Sequence, residues 1–320
     1  MKISILLTTL ITGIVVFSAC SKKNNGPGNP TGGTNGPSAS GTGILYVHWA
    51  TDGVDKIDLR TNVKSTLFPE NTSQYGYYVS SDGKTVLQST ASPDNDYNAN
   101  LYIITNISDG SLVTKFKYYP TNADLTSPTL SPDGTMIAVP PTFDDGIVIM
   151  DLKGNVSHNL ATFQGNKILQ SIAWMPDETL LFTTSAGIFR TNQAFTQASL
   201  VKQINFATWG NITASPDGTK IALSAGNHIW MMAADGSNLV QVTTSTTTET
   251  TPVFSPDNKY LLVGTNYRQS TAFGFLWDLA IIPADGNQYN VDPGADKNVI
   301  PVEPNGATRV QSGDGAMFWR

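Results

Sequence analysis

Six aspartates raise the first chemical question, because they recur along the chain at a nearly regular distance. Asp82, Asp133, Asp177, Asp217, Asp257 and Asp314 are separated by 51, 44, 40, 40 and 57 residues. Repeated carboxylates could serve proton transfer or hold a series of cations. Their surroundings point elsewhere. The best copies read SPDGTMIAV from Ser131, SPDGTKIALS from Ser215 and SPDNKYLLVG from Ser255; weaker ones are SSDGKTVLQS from Ser80, MPDETLLFTT from Met175 and SGDGAMFWR from Ser312. In such a segment Pro presets φ for the first corner, Asp accepts a bond from a nearby backbone N–H, and Gly takes the positive φ of a tight hairpin. The aspartates are therefore read as turn structure, with no catalytic residue among them.

Other candidates for chemistry are sparse. Asp94, Asp96 and Asn98 place oxygen side chains at alternate positions, as calcium loops do, but Ala99 stands where such a loop needs Gly and Thr105 where it needs Glu. They are weak candidates for calcium; otherwise no metal and no cofactor is expected. His48, His158 and His228 lie far apart, without the short spacing of a zinc site. The chain has no G-x-S-x-G nucleophile elbow, no phosphate-cradling G-x-x-x-x-G-K-[ST] and no dinucleotide fingerprint. Cys20 is the single cysteine, so no internal disulfide can form.

The elements that carry these residues follow from the period. Short strands repeating every 40–50 residues are the signature of β-propeller blades. Each copy reads as four strands: one such as residues 251–254 before the turn, one such as 260–264 after it, a third such as His228–Ala233, and, after a second turn (ADGS at 234–237, ADGN at 284–287), a fourth such as 239–243. These repeats resemble those of TolB-type propellers, also described as WD-repeat-like with a Pro-Asp core, over nearly all of residues 43–320. The resemblance implies an all-β, single-propeller fold. It does not extend to the separate amino-terminal α/β domain of TolB-type proteins, so their partnership with Pal does not carry over, and the fold serves too many functions to name one.

Six anchors imply six blades, closed by pairing of the amino- and carboxy-terminal strands. Ile44–Trp49 and residues 316–320 both read as the second strand of the closing blade, and seven blades is the alternative. A four-strand meander puts the short turns on one face and the long segments 90–99, 117–125, 265–274 and 293–307 on the other. Long loops on a rigid scaffold are where binding residues gather. Tyr97, Tyr118, Tyr119, Tyr267, Arg268 and Phe273 are the ligand-face candidates, able to hold a sugar or peptide by stacking and hydrogen bonds.

The amino terminus is a targeting segment. Lys2 precedes an apolar run of fifteen residues, 3–17, and Phe17-Ser18-Ala19-Cys20 resembles a lipobox in which Cys20 becomes the lipid attachment site. Residues 1–19 are read as a lipoprotein signal peptide, 20–43 as a flexible Gly/Pro/Asn/Ser tether and 44–320 as the propeller. The formal charge is −6, yet residues 1–42 hold three lysines and no carboxylate, so sixteen basic and twenty-five acidic residues leave −9 on the remainder. An acidic body argues against nucleic acid as a partner. The residues after Cys20, Ser-Lys-Lys-Asn-Asn, lack the acidic run of surface-exported Bacteroidetes-type lipoproteins. The expected location is the periplasmic side of the outer membrane, with surface exposure as the alternative. The expected function is a non-catalytic, envelope-anchored module that binds or scaffolds a protein or glycan. The alternatives are a propeller enzyme, such as a polysaccharide lyase or glycosidase, and a sensor.

Overall fold

The structure is a computed structural model that describes residues 42–49, 51–94, 96, 98–120, 126–141, 146–163, 165–304, 310–313 and 315–320. The expected signal peptide (1–19), Cys20, the expected tether up to residue 41, Tyr97 and Asp314 lie outside the described residues. The described chain folds into six antiparallel blades. From the channel outwards, blade I consists of Phe318–Trp319, Ile44–Trp49, Gly53–Asp58 and Val63–Phe68. Blade II runs Gln74–Val79, Thr85–Ala91, Asn100–Asn106, Leu112–Tyr118, and blade III Thr129–Leu130, Met136–Val139, Ile147–Asp151, Val156–Leu160. Blade IV runs Asn166–Trp174, Leu180–Thr184, Gly187–Thr191, Ala198–Gln203, with the short Thr162–Phe163 paired to its first strand. Blade V runs Trp209–Ala214, Lys220–Ala225, His228–Ala233, Val240–Gln241, and blade VI Thr250–Phe254, Tyr260–Ser270, Gly274–Pro283, Ile300–Pro301.

The middle strands are continuous apolar runs because both faces of every blade are covered. Leu261 and Val263 pack towards blade V while Leu262, between them, packs towards blade I. The core is accordingly divided into wedges, one in each gap between neighbouring blades. Each fully buried Leu, Ile or Phe in these wedges contributes about 1.5–3 kcal/mol, so the ring is held by side chains, without a disulfide.

The repeated turns take the form their sequence requires. Ser131 Oγ donates to Asp133 at 2.6 Å, Ser215 to Asp217 at 2.6 Å, Ser255 to Asp257 at 2.7 Å and Ser80 to Asp82 at 2.7 Å. Each serine oxygen then accepts the N–H that opens the next strand, as Met136 N does to Ser131 at 2.9 Å. Asp177 has no such serine and is held by Thr179 and Arg190 instead. Where the fourth turn residue is not Gly it bridges blades: Glu178 and Asn258, both at positive φ, accept the backbone N–H of Asp133 and Asp217 in the preceding blade at 3.0 Å each.

Burial pushes the pKa of Asp82, Asp133, Asp177, Asp217 and Asp257 upwards, but these hydrogen bonds outweigh it and hold each carboxyl below its ordinary value. A depressed folded pKa contributes stability that is present above the unfolded value, near ~3.9, and is lost as pH falls through the folded one. The melting temperature is therefore expected to hold from neutral pH to about 5 and to fall steeply below about 4. An Asp133→Asn/Asp217→Asn protein should start lower and fall less over that range. An equally steep acid fall in the double variant would assign the effect to other carboxylates.

Four expectations about the strands and loops are corrected. Phe318–Trp319 is the innermost strand of blade I and Ile44–Trp49 the second, so the two no longer compete and no seventh blade is needed. The segment before Phe318 does not repeat the hairpin of the other anchors, since Gln311–Gly313 pairs with Leu276–Asp278 of blade VI. After the ADGN turn, Tyr289–Asn290 runs parallel to Thr243–Thr244 of blade V, and the outer strand of blade VI comes later, at Ile300–Pro301. Residues 265–274 are largely not an irregular loop but the extended end of a hairpin, Tyr260–Ser270 with Gly274–Pro283.

Candidate functional site

The inner strands enclose a central cavity of about 1230 Å³ lined by all six blades. The Pro-Asp turns crowd one end, where Pro132, Pro176, Pro216, Pro256, Asp82 and Arg320 stand. Arg320 is fixed there: its guanidinium donates to the carbonyls of Val79, Ser80 and Trp319 and lies over the rings of Tyr78 and Phe318. The other end is the wide mouth, on the face of the long segments.

Irregularities in the inner strands shape the mouth. The register shifts between Gln74 and Gly76, Ile168 and Ile172, Gly210 and Thr213, and Thr250 and Val253, in four different blades. A bulge of this kind re-aims side chains. Asn211 and Thr251, forty residues apart in adjacent blades, both adopt φ 48°. For β-branched Thr251 that conformation is strained. Polar bonds stitch the bulges together across blades. Asn211 Nδ2 donates to Thr250 Oγ1 at 3.0 Å, Ile212 N to Ser171 Oγ at 3.0 Å, and Ser127 Oγ to the Tyr75 carbonyl at 3.3 Å.

Blade VI supplies an aromatic wall. The Tyr267 ring stacks on Phe275 at 5.4 Å and 10° and on Trp277 at 6.0 Å and 27°. Gly264 makes this possible, because a Cβ there would stand 2.5 Å from the Trp277 ring. Trp277 is buried and bonds the Met317 thioether, whereas Phe275 is 41% exposed at the rim. Leu169 and the half-buried Trp209 line the mouth in blades IV and V.

Two histidine–carboxylate pairs lie on this face. His48, a lining residue, is 3.3 Å from Glu70. The His228 ring nitrogen Nδ1 is 2.6 Å from Glu249, whose side chain is fully buried and also accepts Thr243 and Ser245 hydroxyls.

The expected ligand-face residues divide. Tyr267 lines the cavity, and Phe273 packs on Trp49 at 5.4 Å with 41% of its surface exposed. Arg268 is committed to Asp278 at 3.2 Å and to the Asn266 carbonyl. Tyr118 is buried against Tyr102 in the wedge between blades II and III, whereas its neighbour Tyr119 is exposed and donates to Asp96 at 3.0 Å. Lys117 sits between Asp94 at 2.6 Å and Asp96 at 3.4 Å, and holds Asp94 at a pKa of about 2. The Lys117 ammonium thus bridges the two carboxylates, while the Asn98 N–H approaches Asp96 at 3.4 Å. Among the described residues no three His, Cys, Asp or Glu side chains gather as metal ligands. Trp209, Asn211, Phe275 and Trp277 were missed by sequence reasoning. For Trp209 and Asn211 the signal available was their offset from the Pro-Asp anchor at Asp217, which marks inner-strand positions; Phe275 and Trp277 sit on the third strand of blade VI, where no anchor marks them.

No protein-family profile and no curated protein matches the chain. Solved structures do. TolB from Acinetobacter baumannii superposes with a TM-score of 0.57 at 18% identity over 78% of this chain, and the match spans 62% of that protein. A TolB-assigned protein from Agrobacterium tumefaciens matches with a TM-score of 0.54 at 16% identity, covering 78% of this chain and 87% of that one. The β-propeller domain of Myceliophteria thermophila Cps50 (Swd1) matches with a TM-score of 0.53 at 14% identity, over 86% of each chain. At these identities the likeness is one of fold, and the chain is a six-bladed β-propeller similar in fold to these TolB and Swd1 propellers.

Proposed function

We propose that this protein is a non-catalytic binding module of the bacterial cell envelope, held to the membrane by a lipid on Cys20 and presenting its wide mouth to a protein or glycan. The composition of the cavity carries this reading. Among the described lining residues the single acidic one is Asp82, at the narrow end, where Ser80 and the Lys84 N–H hold it. Carboxylate-driven glycoside hydrolysis needs two such groups about 5–10 Å apart. The mouth instead offers aromatic faces, hydroxyls and amides fixed by bulges, a surface suited to holding rather than transforming. The lipobox-like Phe17-Ser18-Ala19-Cys20 and the Gly/Pro-rich segment after it support a tethered module on the periplasmic side of the outer membrane.

The test is site-specific photo-crosslinking in intact cells. A photoreactive residue at Phe275 is expected to capture a discrete partner that the same group at Val156, on the outer edge of blade III, does not. Capture that is equal at both positions, or absent at Phe275, would refute a binding role for the mouth.

A further inference from the structure

We infer that the wide mouth takes an uncharged oligosaccharide of several units, its rings lying on the aromatic wall and its hydroxyls meeting the side chains of the bulged inner strands. The inference rests on the binding-module reading and adds the chemistry of the ligand.

Charge is the first argument. Residues 43–320 carry −9, yet the charged or titratable lining groups other than tyrosines are His48, Asp82 and Arg320 among the described residues. Asp82 and Arg320 belong to the narrow end and are already bonded there. Among the described lining residues of the mouth, an anionic polymer would meet no lysine or arginine and a basic peptide no carboxylate to pair with, while the acidic body repels the former.

Surface chemistry is the second. A sugar ring has apolar C–H faces and a hydroxyl rim, and so needs flat aromatic groups and neutral donors and acceptors together. The mouth supplies both: the Phe275–Tyr267–Trp277 wall and Trp209 among the lining aromatics, and Gln74, Asn211, Thr250 and Thr251 on the inner strands. Phe275 and Leu169 are each 41% exposed at this rim, apolar surface that a ligand would cover. The strain at Thr251 is consistent with a side chain placed for contact.

Size is the third. A cavity of about 1230 Å³ exceeds the ~300–1,000 Å³ typical of small-molecule sites. One monosaccharide would leave most of it filled with water, whereas a chain entering from the mouth would bridge the aromatic wall and the polar ring.

The experiment uses the full-length lipoprotein in a zwitterionic detergent, because glycoside detergents present the same chemistry. Cellohexaose, xylohexaose, mannohexaose and maltohexaose are titrated by calorimetry and by tryptophan fluorescence, to which Trp209 and Trp277 report. A hexagalacturonate and an uncharged decapeptide are run beside them. At least one neutral hexasaccharide is expected to bind, and Tyr267→Ala and Phe275→Ala should each weaken it about tenfold. Tyr267→Phe, which keeps the ring, should remain within about threefold of the parent. Circular dichroism melts show whether each variant is folded, and exposed Phe275 gives a variant whose loss does not depend on the core. If the hexagalacturonate or the peptide is the Phe275-sensitive ligand, the sugar inference is overturned while the binding-module reading stands. If no probe binds in a Phe275-sensitive way, the inference is overturned too, and crosslinking from Phe275 decides the binding reading separately.

Discussion

Removing residues 311–320 should abolish cooperative folding, a larger effect than any single substitution in the blades. Met317, Phe318 and Trp319 are each at least nine-tenths buried. Trp319 lies between Tyr260 of blade VI and the second strand of blade I, and its indole N–H donates to the Thr42 carbonyl at 2.9 Å. The Tyr77 hydroxyl donates to the Ala316 carbonyl at 2.6 Å, and Arg320 and Ile44 exchange backbone bonds at 2.6 and 2.9 Å. Deletion empties the channel side of blade I and uncovers the wedges on both sides of it. Truncating one buried aromatic costs about 3–5 kcal/mol, so losing the set approaches the ~5–15 kcal/mol that holds a typical domain. Trp319→Ala alone should cost about 3–5 kcal/mol, and each kcal/mol lowers the melting temperature by roughly 2–4 °C in a domain near this size. Thermal melts by circular dichroism measure both. A truncated chain that melts with the parent would show that the ring does not depend on this strand.

The second large effect is expected at Glu249. Its carboxylate has no exposed surface and accepts from His228, from Thr243 at 2.9 Å and from Ser245. Thr243 in turn accepts the Ile229 N–H at 2.8 Å, and the Glu249 N–H donates to the Asn227 carbonyl at 2.8 Å, so one side chain ties the end of blade V to the start of blade VI. Glu249→Ala leaves these donors without their acceptor, a loss of about 1–3 kcal/mol for a hydrogen-bonded network broken on one side. Glu249→Gln keeps the shape and one acceptor oxygen, and should cost about half of that or less. Urea unfolding monitored by Trp230, in the same blade, reads the difference. Equal stability of the Ala variant and the parent would mean that the network is solvated and carries no stability.

The architecture was legible because its signals are local. The Ser–Asp bond spans two residues, Pro and Gly set their own backbone angles, and the turn recurs at each blade, so period, fold and the structural role of Asp82, Asp133, Asp177, Asp217 and Asp257 follow from short segments. What those segments cannot contain was decided by the tertiary structure. A two-residue strand such as Phe318–Trp319 has no periodicity, and its indole partner Thr42 is 277 residues away, so its place as the innermost strand of blade I appears only when the ring closes. Tyr118 and Tyr119 are adjacent in sequence, yet one is buried and the other exposed, because consecutive residues at a strand end face opposite ways. The pairing of Asp94 and Asp96 with Lys117 depends on a strand that returns after the loop. The mouth depends on the ring most of all. Tyr267 becomes a lining residue because a bulge at Asn266 turns the extended hairpin of blade VI, and Gly264 leaves room for Trp277 beneath it. Strand order and bulge position set which side chains share a cavity; both arise from contacts between blades, which no stretch of forty residues holds by itself.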